Sequence, residues 1–373
     1  MMNRQDLLIS THEKVSFSLR DLYSRYGYTQ YKMSKFEEYD LYARNKDFLI
    51  SDKVITFTDL SGKLMALKPD VTLSIVKNSI DEPETLQKLY YAENVYRATK
   101  GAHAYKEIMQ IGLECMGNVD DYCLCEVLTL AAKSLLTISD NVVMNISHLG
   151  FLSDLIDGIG ITGQNKTQAI QFIGQKNYHE LSALCRELLI DEAKISKFLQ
   201  ILTTNGTPEN ALSVISVLAA DIADVAPVER LLRVVQAIGD IEAKKILNFD
   251  FSVVDDLHYY NGLVFKGFVQ GLPQSILSGG QYDKLMSKMN RRSCAVGFAV
   301  YMDMLELLDT DKKTYDVDVV LIYEDGVETS GLRNCVDDLI AQGNRVMAQQ
   351  KIPQNIRYRQ LMKYACGEVS TLE

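Results

Sequence analysis

The feature that most constrains the fold is an abrupt change of character near residue 146. Before it, strand-like and helical segments alternate; from 146 to 246 the chain reads as helix after helix. HLGFLSDLIDGIG, QAIQFIGQ, YHELSALCRELL, EAKISKFLQIL, NALSVISVLAADIA and VERLLRVVQAIG repeat apolar residues at helical spacing, with short polar or glycine breaks between them. Strand-like segments resume at ILNFDFSVVD, continue through HYYNGLVFKGFVQ and end at CAVGFAVYMDMLELL. A helical block between two runs of strands predicts an α+β fold. The expected division is a sheet domain from 1–145 and 247–310, interrupted by a helical insertion at 146–246.

The segments around that block carry their own signals. Val15, Phe17, Leu19, Leu22 and Tyr23 recur at roughly helical spacing until Gly27 stops the helix. GYTQYKMSKFEEYDLY reads as extended and then helical. ITFTD and KLMALK read as a hairpin turned by LSGK, where Gly62 supplies the permissive residue. Asp70 or Thr72 is placed to cap the next helix. KLYYAENVYR and YKEIMQIGLECMG read as strands joined by the loop ATKGAHA, and SGGQYD at 278–283 as a turn. After a polar linker, DTDKKTYD, residues 315–373 predict a small β-α-β-α unit: DVDVVLIY, a helix around Leu332–Gln342, NRVMAQQ and a last helix around Tyr358–Ala365.

Composition excludes several classes. No apolar run reaches membrane-spanning length, and the start MMNRQDLLISTHEK lacks a secretory pattern, so a cytoplasmic protein without a membrane partner is expected. A net charge of −10 weighs against an obligatory nucleic-acid partner, because phosphate binding leans on clustered Lys and Arg. Seven cysteines, at 115, 123, 125, 185, 294, 335 and 366, are scattered; Cys123 and Cys125 are too close for a zinc or redox pair, and free thiols are expected. Five dispersed histidines give no metal cluster and no nucleophile–base pair, and phosphate-loop and dinucleotide fingerprints are absent. No metal and no cofactor is expected.

Several motifs, taken together, resemble those of class II aminoacyl-tRNA synthetases, and most of all the histidyl-tRNA synthetases and their paralogue, the regulatory subunit of ATP phosphoribosyltransferase. DDLHYYNGLVF resembles the family's RGLDYYTRTVF, KPDVT its RPEGT, QIGLE its Q-x-G-x-E, and SGGQYD its GGRYD. The resemblance spans residues from about 10 to 310 and implies a mixed, mostly antiparallel sheet flanked by helices. It also implies a histidine pocket built from Asp70, Thr72, Arg97, Gln110, Glu114, Tyr259, Tyr260 and Tyr282. Asp70 would meet the ligand's ammonium, the set together would supply hydrogen-bond partners for both imidazole nitrogens, and tyrosine rings would wall it in. Any one of these residues reads equally well as an ordinary strand or core residue; the agreement of the set in one order is the argument.

On the nucleotide side the pattern fails. Arg97 stands where the synthetases contact the ATP α-phosphate, and Lys106 at their distal basic position. Asp255, however, replaces the arginine that stabilises charge as histidine attacks ATP, Thr99 an acidic residue, Gln281 the arginine of GGRYD, and His258 an aspartate. The third signature reads GFAVYMDM, with Tyr301 for glycine and Met304 for the nucleotide-clamping arginine. Neither a carboxylate nor a thioether can neutralise a developing phosphate charge. The resemblance therefore implies a non-catalytic regulatory subunit, with no catalytic residue of its own. Its partners would be the short catalytic subunit and histidine as effector, on a homodimer core formed through the N-terminal helix and Gly27–Tyr42 within a larger hetero-oligomer; tRNA is not expected. The alternatives are an active histidyl-tRNA synthetase and a paralogue that activates another small amino acid with ATP.

Overall fold

The computed structural model describes residues 10–49, 53–82, 84–98, 104–254, 259–308, 315–365 and 367–372, apart from the side chain of residue 306. The expectations that rest on Thr99, Asp255, His258, Cys366 and most of the 309–316 linker lie outside these residues. Contacts divide the chain into a large unit, Thr11–Leu308, and a small one made chiefly of the residues beyond Leu308.

In the large unit, α1 (Thr11–Arg25) buries Val15, Leu19 and Tyr23 along one face and gives way at Gly27, whose φ of 81° suits a residue without a Cβ. Next come β1 (Thr29–Gln30), β2 (Phe36–Glu38), α2 (Tyr39–Arg44) and a 3-10 turn at Lys46–Phe48. The hairpin of β3 (Thr56–Thr58) and β4 (Leu64–Leu67) turns at Gly62 and pairs with β2 in a separate three-stranded sheet. Helix α3 (Thr72–Asn78) starts where Asp70 accepts from the Leu73 amide at 2.9 Å, so of the two candidate caps it is Asp70 that holds the first turn.

Strands β5 (Gln87–Ala98) and β6 (Tyr105–Gly117) run antiparallel over their whole length. Helix α4 (Asp121–Ile138) is capped by Asp120, lies against the sheet and is tied to α1 by a 2.9 Å hydrogen bond between Tyr23 and Ser134. After β7 (Val142–His148) come seven helices: α5 (Leu149–Gly158), α6 (Gly163–Gly174), α7 (Tyr178–Glu187), α8 (Glu192–Thr203), α9 (Pro208–Ala219), α10 (Ala226–Gln236) and α11 (Ile241–Lys245). Then β8 (Leu247–Phe249) pairs in parallel with β7, followed by β9 (Leu263–Val269), β10 (Leu277–Gln281), α12 (Asp283–Lys288) and β11 (Cys294–Tyr301). The main sheet has the order β1-β5-β6-β11-β10-β9-β7-β8 and is antiparallel except at its two outer pairs. One continuous apolar core joins α1, α4 and this sheet to the helices, through residues such as Phe151, Phe198, Ile215 and Val235.

Two local expectations are corrected. SGGQYD is not a turn over its glycines: Ser278, Gly279 and Gly280 lie in β10, fully inside the sheet and without positive φ. What they require is close approach. A Cβ on Gly279 would stand 2.4 Å from that of Phe298, and one on Gly280 2.6 Å from the Leu263 carbonyl and 2.8 Å from the Tyr260 ring.

In the small unit, β12 (Val317–Tyr323), α13 (Thr329–Ala341) and β13 (Val346–Gln349) are followed by β14 (Tyr358–Ala365) and β15 (Glu368–Thr371), in the sheet order β13-β12-β14-β15. The last helix expected around Tyr358–Ala365 is therefore a strand, and the unit is β-α-β-β-β. RQLMKYA is rich in good helix formers, but parallel pairing with β12 on one side and antiparallel pairing with β15 on the other override that preference. No described helix is long and apolar enough to cross a membrane.

Candidate functional site

The site grows from the middle of the main sheet. On β6, Gln110 and Glu114 are four residues apart, and the alternation of a strand turns both to one face. Thr72 and Asp70 arrive from the start of α3, Arg97 from the end of β5, Tyr282 from the end of β10, and Tyr259 and Tyr260 from the segment before β9. All eight residues expected in the pocket line a single cavity of about 800 Å³, within the range of roughly 300–1,000 Å³ typical of small-molecule sites.

Glu114 is the hub. It is 2% exposed, and its Oε1 accepts from the Thr72 hydroxyl at 2.7 Å while Oε2 accepts from the Tyr282 hydroxyl at 2.7 Å. Burial pushes its pKa up to about 8, against the pull of those two hydrogen bonds, with the nearby Asp70 charge adding to the rise. This arrangement depends on Gly297 in β11: a Cβ there would fall 1.8 Å from Glu114 Oε2 and 2.5 Å from the Leu113 carbonyl.

Asp70 is also buried, and desolvation raises its pKa; the Arg97 guanidinium opposes that rise from 3.8 Å. Arg97 is itself held, since its Nε donates to the Pro69 carbonyl at 2.8 Å. The tyrosines form the apolar wall. The Tyr259 and Tyr260 ring centres lie 4.8 Å apart, those of Tyr259 and Tyr282 5.8 Å, and Phe48 meets Tyr259 edge-on at 6.1 Å. Burial holds the hydroxyls of Tyr259 and Tyr282 in the neutral form.

Residues that motif reading does not reach complete the cavity. Tyr91 comes from β5, Phe48 from the 3-10 turn, and α6 contributes Thr167, Ile170, Gln171 and Gly174, with Gln175 just past its end; Ser278 and Phe298, inside quoted motifs but not expected in the pocket, line it too. The spacing of the α6 set marks one helical face, but nothing in the sequence says which element that face meets.

The substituted positions are accounted for individually. Gln281 folds inward, and its Oε1 accepts from the Leu263 amide at 2.9 Å over Gly262, so it serves the sheet. Tyr301 lines the cavity. Met304 packs half-buried against the core, and its sulfur accepts weakly from Gln274 at 3.6 Å. Lys106 is paired with Asp303 at 2.6 Å. Among the described residues that line the cavity, Arg97 is the only basic one. No group of three or more His, Cys, Asp or Glu among the described residues could hold a metal ion.

The helix-flanked, mostly antiparallel sheet is the class II synthetase-like fold, and in this chain an acidic, tyrosine-walled cavity lies on it. Within that class, the family model described as Histidyl-tRNA synthetase matches residues 8–305, and the chain belongs to this family. It is 28% identical over 295 residues to an ATP phosphoribosyltransferase regulatory subunit from Oceanobacillus iheyensis, covering 78% of this chain and 72% of that protein. A solved structure of an ATP phosphoribosyltransferase regulatory subunit/histidyl-tRNA synthetase from Bacillus halodurans superposes with a TM-score of 0.75 at 22% identity, covering 95% of this chain and 93% of the other. A chain of the ATP phosphoribosyl transferase (HisG:HisZ) complex from Thermotoga maritima gives a TM-score of 0.60 at 19% identity, covering 77% of this chain and 96% of that one. These two structures share its fold.

Proposed function

We propose that this chain is the non-catalytic regulatory subunit of ATP phosphoribosyltransferase. In this reading it switches on a short catalytic subunit, which joins ATP and phosphoribosyl pyrophosphate, and carries histidine feedback to it. The observation that supports this reading best is the charge of the cavity. Two buried carboxylates and a tyrosine wall suit an amino acid with an ammonium and a flat ring. A triphosphate calls for several cations, yet the described lining offers one guanidinium, already opposed by Asp70. Where the clamp would stand, Met304 supplies a thioether.

Histidine would act by linkage. Binding one assembly state better than another shifts their populations, by no more than the difference in affinity allows. The homodimer core would form through α1 and Gly27–Tyr42. The exposed Phe36, Phe57 and Leu64 of the three-stranded sheet beside that segment support this.

The competing reading, an active histidyl-tRNA synthetase, is favoured by the family match and by the retained Arg97. Histidine-dependent ATP–pyrophosphate exchange separates the two. The regulator binds histidine in calorimetry and shows no exchange; exchange at an enzymatic rate overturns it.

A further inference from the structure

Part of the cavity wall comes from a very short element, the 3-10 turn at Lys46–Phe48, through Asp47, Phe48 and the following Leu49. Phe48 is buried and meets the Tyr259 ring edge-on. Tyr259 in turn packs against Tyr282, whose hydroxyl donates to Glu114. The position of Phe48 is therefore felt along the whole tyrosine wall.

The turn's own backbone bonds do not fix that position. The Phe48 amide donates to the Asn45 carbonyl and the Leu49 amide to that of Lys46, each at 3.0 Å, so both bonds are local. A single 3-10 turn has no ladder to a neighbour, and its side chains must anchor it.

Lys288, the last residue of α12, supplies an anchor. Its Nζ lies 2.8 Å from Asp47 Oδ2 and 5.0 Å from the centre of the Phe48 ring. One ammonium thus holds both the exposed and the buried side chain of the turn. Lys288 lines a separate cleft of about 370 Å³ rather than the cavity, so it acts on a cavity ligand only through the turn.

The helix that carries Lys288 is itself fixed. It begins directly after Tyr282, and Leu285 and Met286 are buried in the apolar cluster that also holds Phe48 and Tyr282. Asp283 accepts from the Ala295 amide of β11 at 2.9 Å. With side chains 38% and 75% exposed, the Lys288–Asp47 pair adds little to global stability; its effect is on where the turn sits.

We infer that Lys288 is a positioning residue for the amino-acid pocket: it pins the Lys46–Phe48 turn so that Phe48 backs Tyr259 and keeps the tyrosine wall closed. This assignment rests on the histidine-binding reading and adds to it a residue that touches no ligand.

The test compares the full chain with Lys288→Met, which keeps an apolar stem without the charge, and Lys288→Arg, which can meet a carboxylate and an aromatic face together. Calorimetry measures histidine affinity, and amide hydrogen exchange without ligand measures opening of residues 46–49. Lys288→Met is expected to bind histidine about three- to ten-fold more weakly and to exchange faster in the turn, at a nearly unchanged thermal midpoint. Lys288→Arg is expected to stay within about two-fold of the parent in affinity. Unchanged affinity in Lys288→Met overturns the inference, as does an equal loss in Lys288→Arg. Faster exchange spread over the whole chain marks a merely structural role and overturns it too. Failure of the unaltered chain to bind histidine removes the underlying reading, and the inference with it.

Discussion

Glu114 and Tyr282 meet at 2.7 Å on the floor of the cavity although 168 residues separate them in the chain. The contact joins β6 to the end of β10 across β11, and Gly297 on that intervening strand leaves the space for it. It fixes a carboxyl group in a place where burial favours its neutral form.

That placement has a pH signature. The pKa of Glu114 in the folded chain, about 8, stands above the ordinary value of 4.5, so the folded state keeps a proton that the unfolded state releases. The group's contribution to stability is full below pH 4.5 and is lost as pH rises toward 8, a change of a few kcal/mol. Thermal melts of the ligand-free protein are expected to fall over this window. Glu114→Gln, a permanently neutral mimic, should fall less, whereas parallel curves for the two proteins would contradict the assignment.

A bound ammonium reverses the preference, since a cation beside Glu114 favours the carboxylate. Histidine binding at pH 7 is therefore expected to release a proton, close to one per site. Calorimetry in buffers of different ionisation enthalpy measures this directly. Buffer-independent heats, or proton uptake, would remove Glu114 from the ammonium site.

Away from the cavity, Lys68 is 1% exposed and donates to Glu93, which is 17% exposed. Removing one partner of such a pair leaves the other charge uncompensated, at a cost of about 3–5 kcal/mol. Lys68→Ala is expected to lower the urea midpoint accordingly, and Lys68→Met/Glu93→Gln to recover much of the loss. A single variant within about 0.5 kcal/mol of the parent would show the pair to be a solvated contact.

How much of this was legible in the sequence depends on range. Gln110 and Glu114 share a strand, so their common face is written in the spacing; Thr72 lies just past the capping Asp70. The alternation of strand-like and helical segments likewise exposed the α+β fold. The α6 wall was not legible, because the residues at 167, 171 and 175 record a helical face but not its counterpart, which is set by tertiary packing. Tyr358–Ala365 misled for a related reason: a stretch of helix-forming residues becomes a strand only once β12 and β15 flank it. The glycines of β10 show the same dependence, since their need is for room beneath Phe298 and Tyr260, which no local pattern announces.

The most direct test of the central claim is to assay phosphoribosyl-ATP formation by the short catalytic subunit alone, with this chain, and with this chain plus histidine. The account expects little activity alone, strong activation on adding the chain, and suppression of that activation by histidine. A catalytic subunit indifferent to the chain, together with histidyl-adenylate formation by the chain itself, would contradict it.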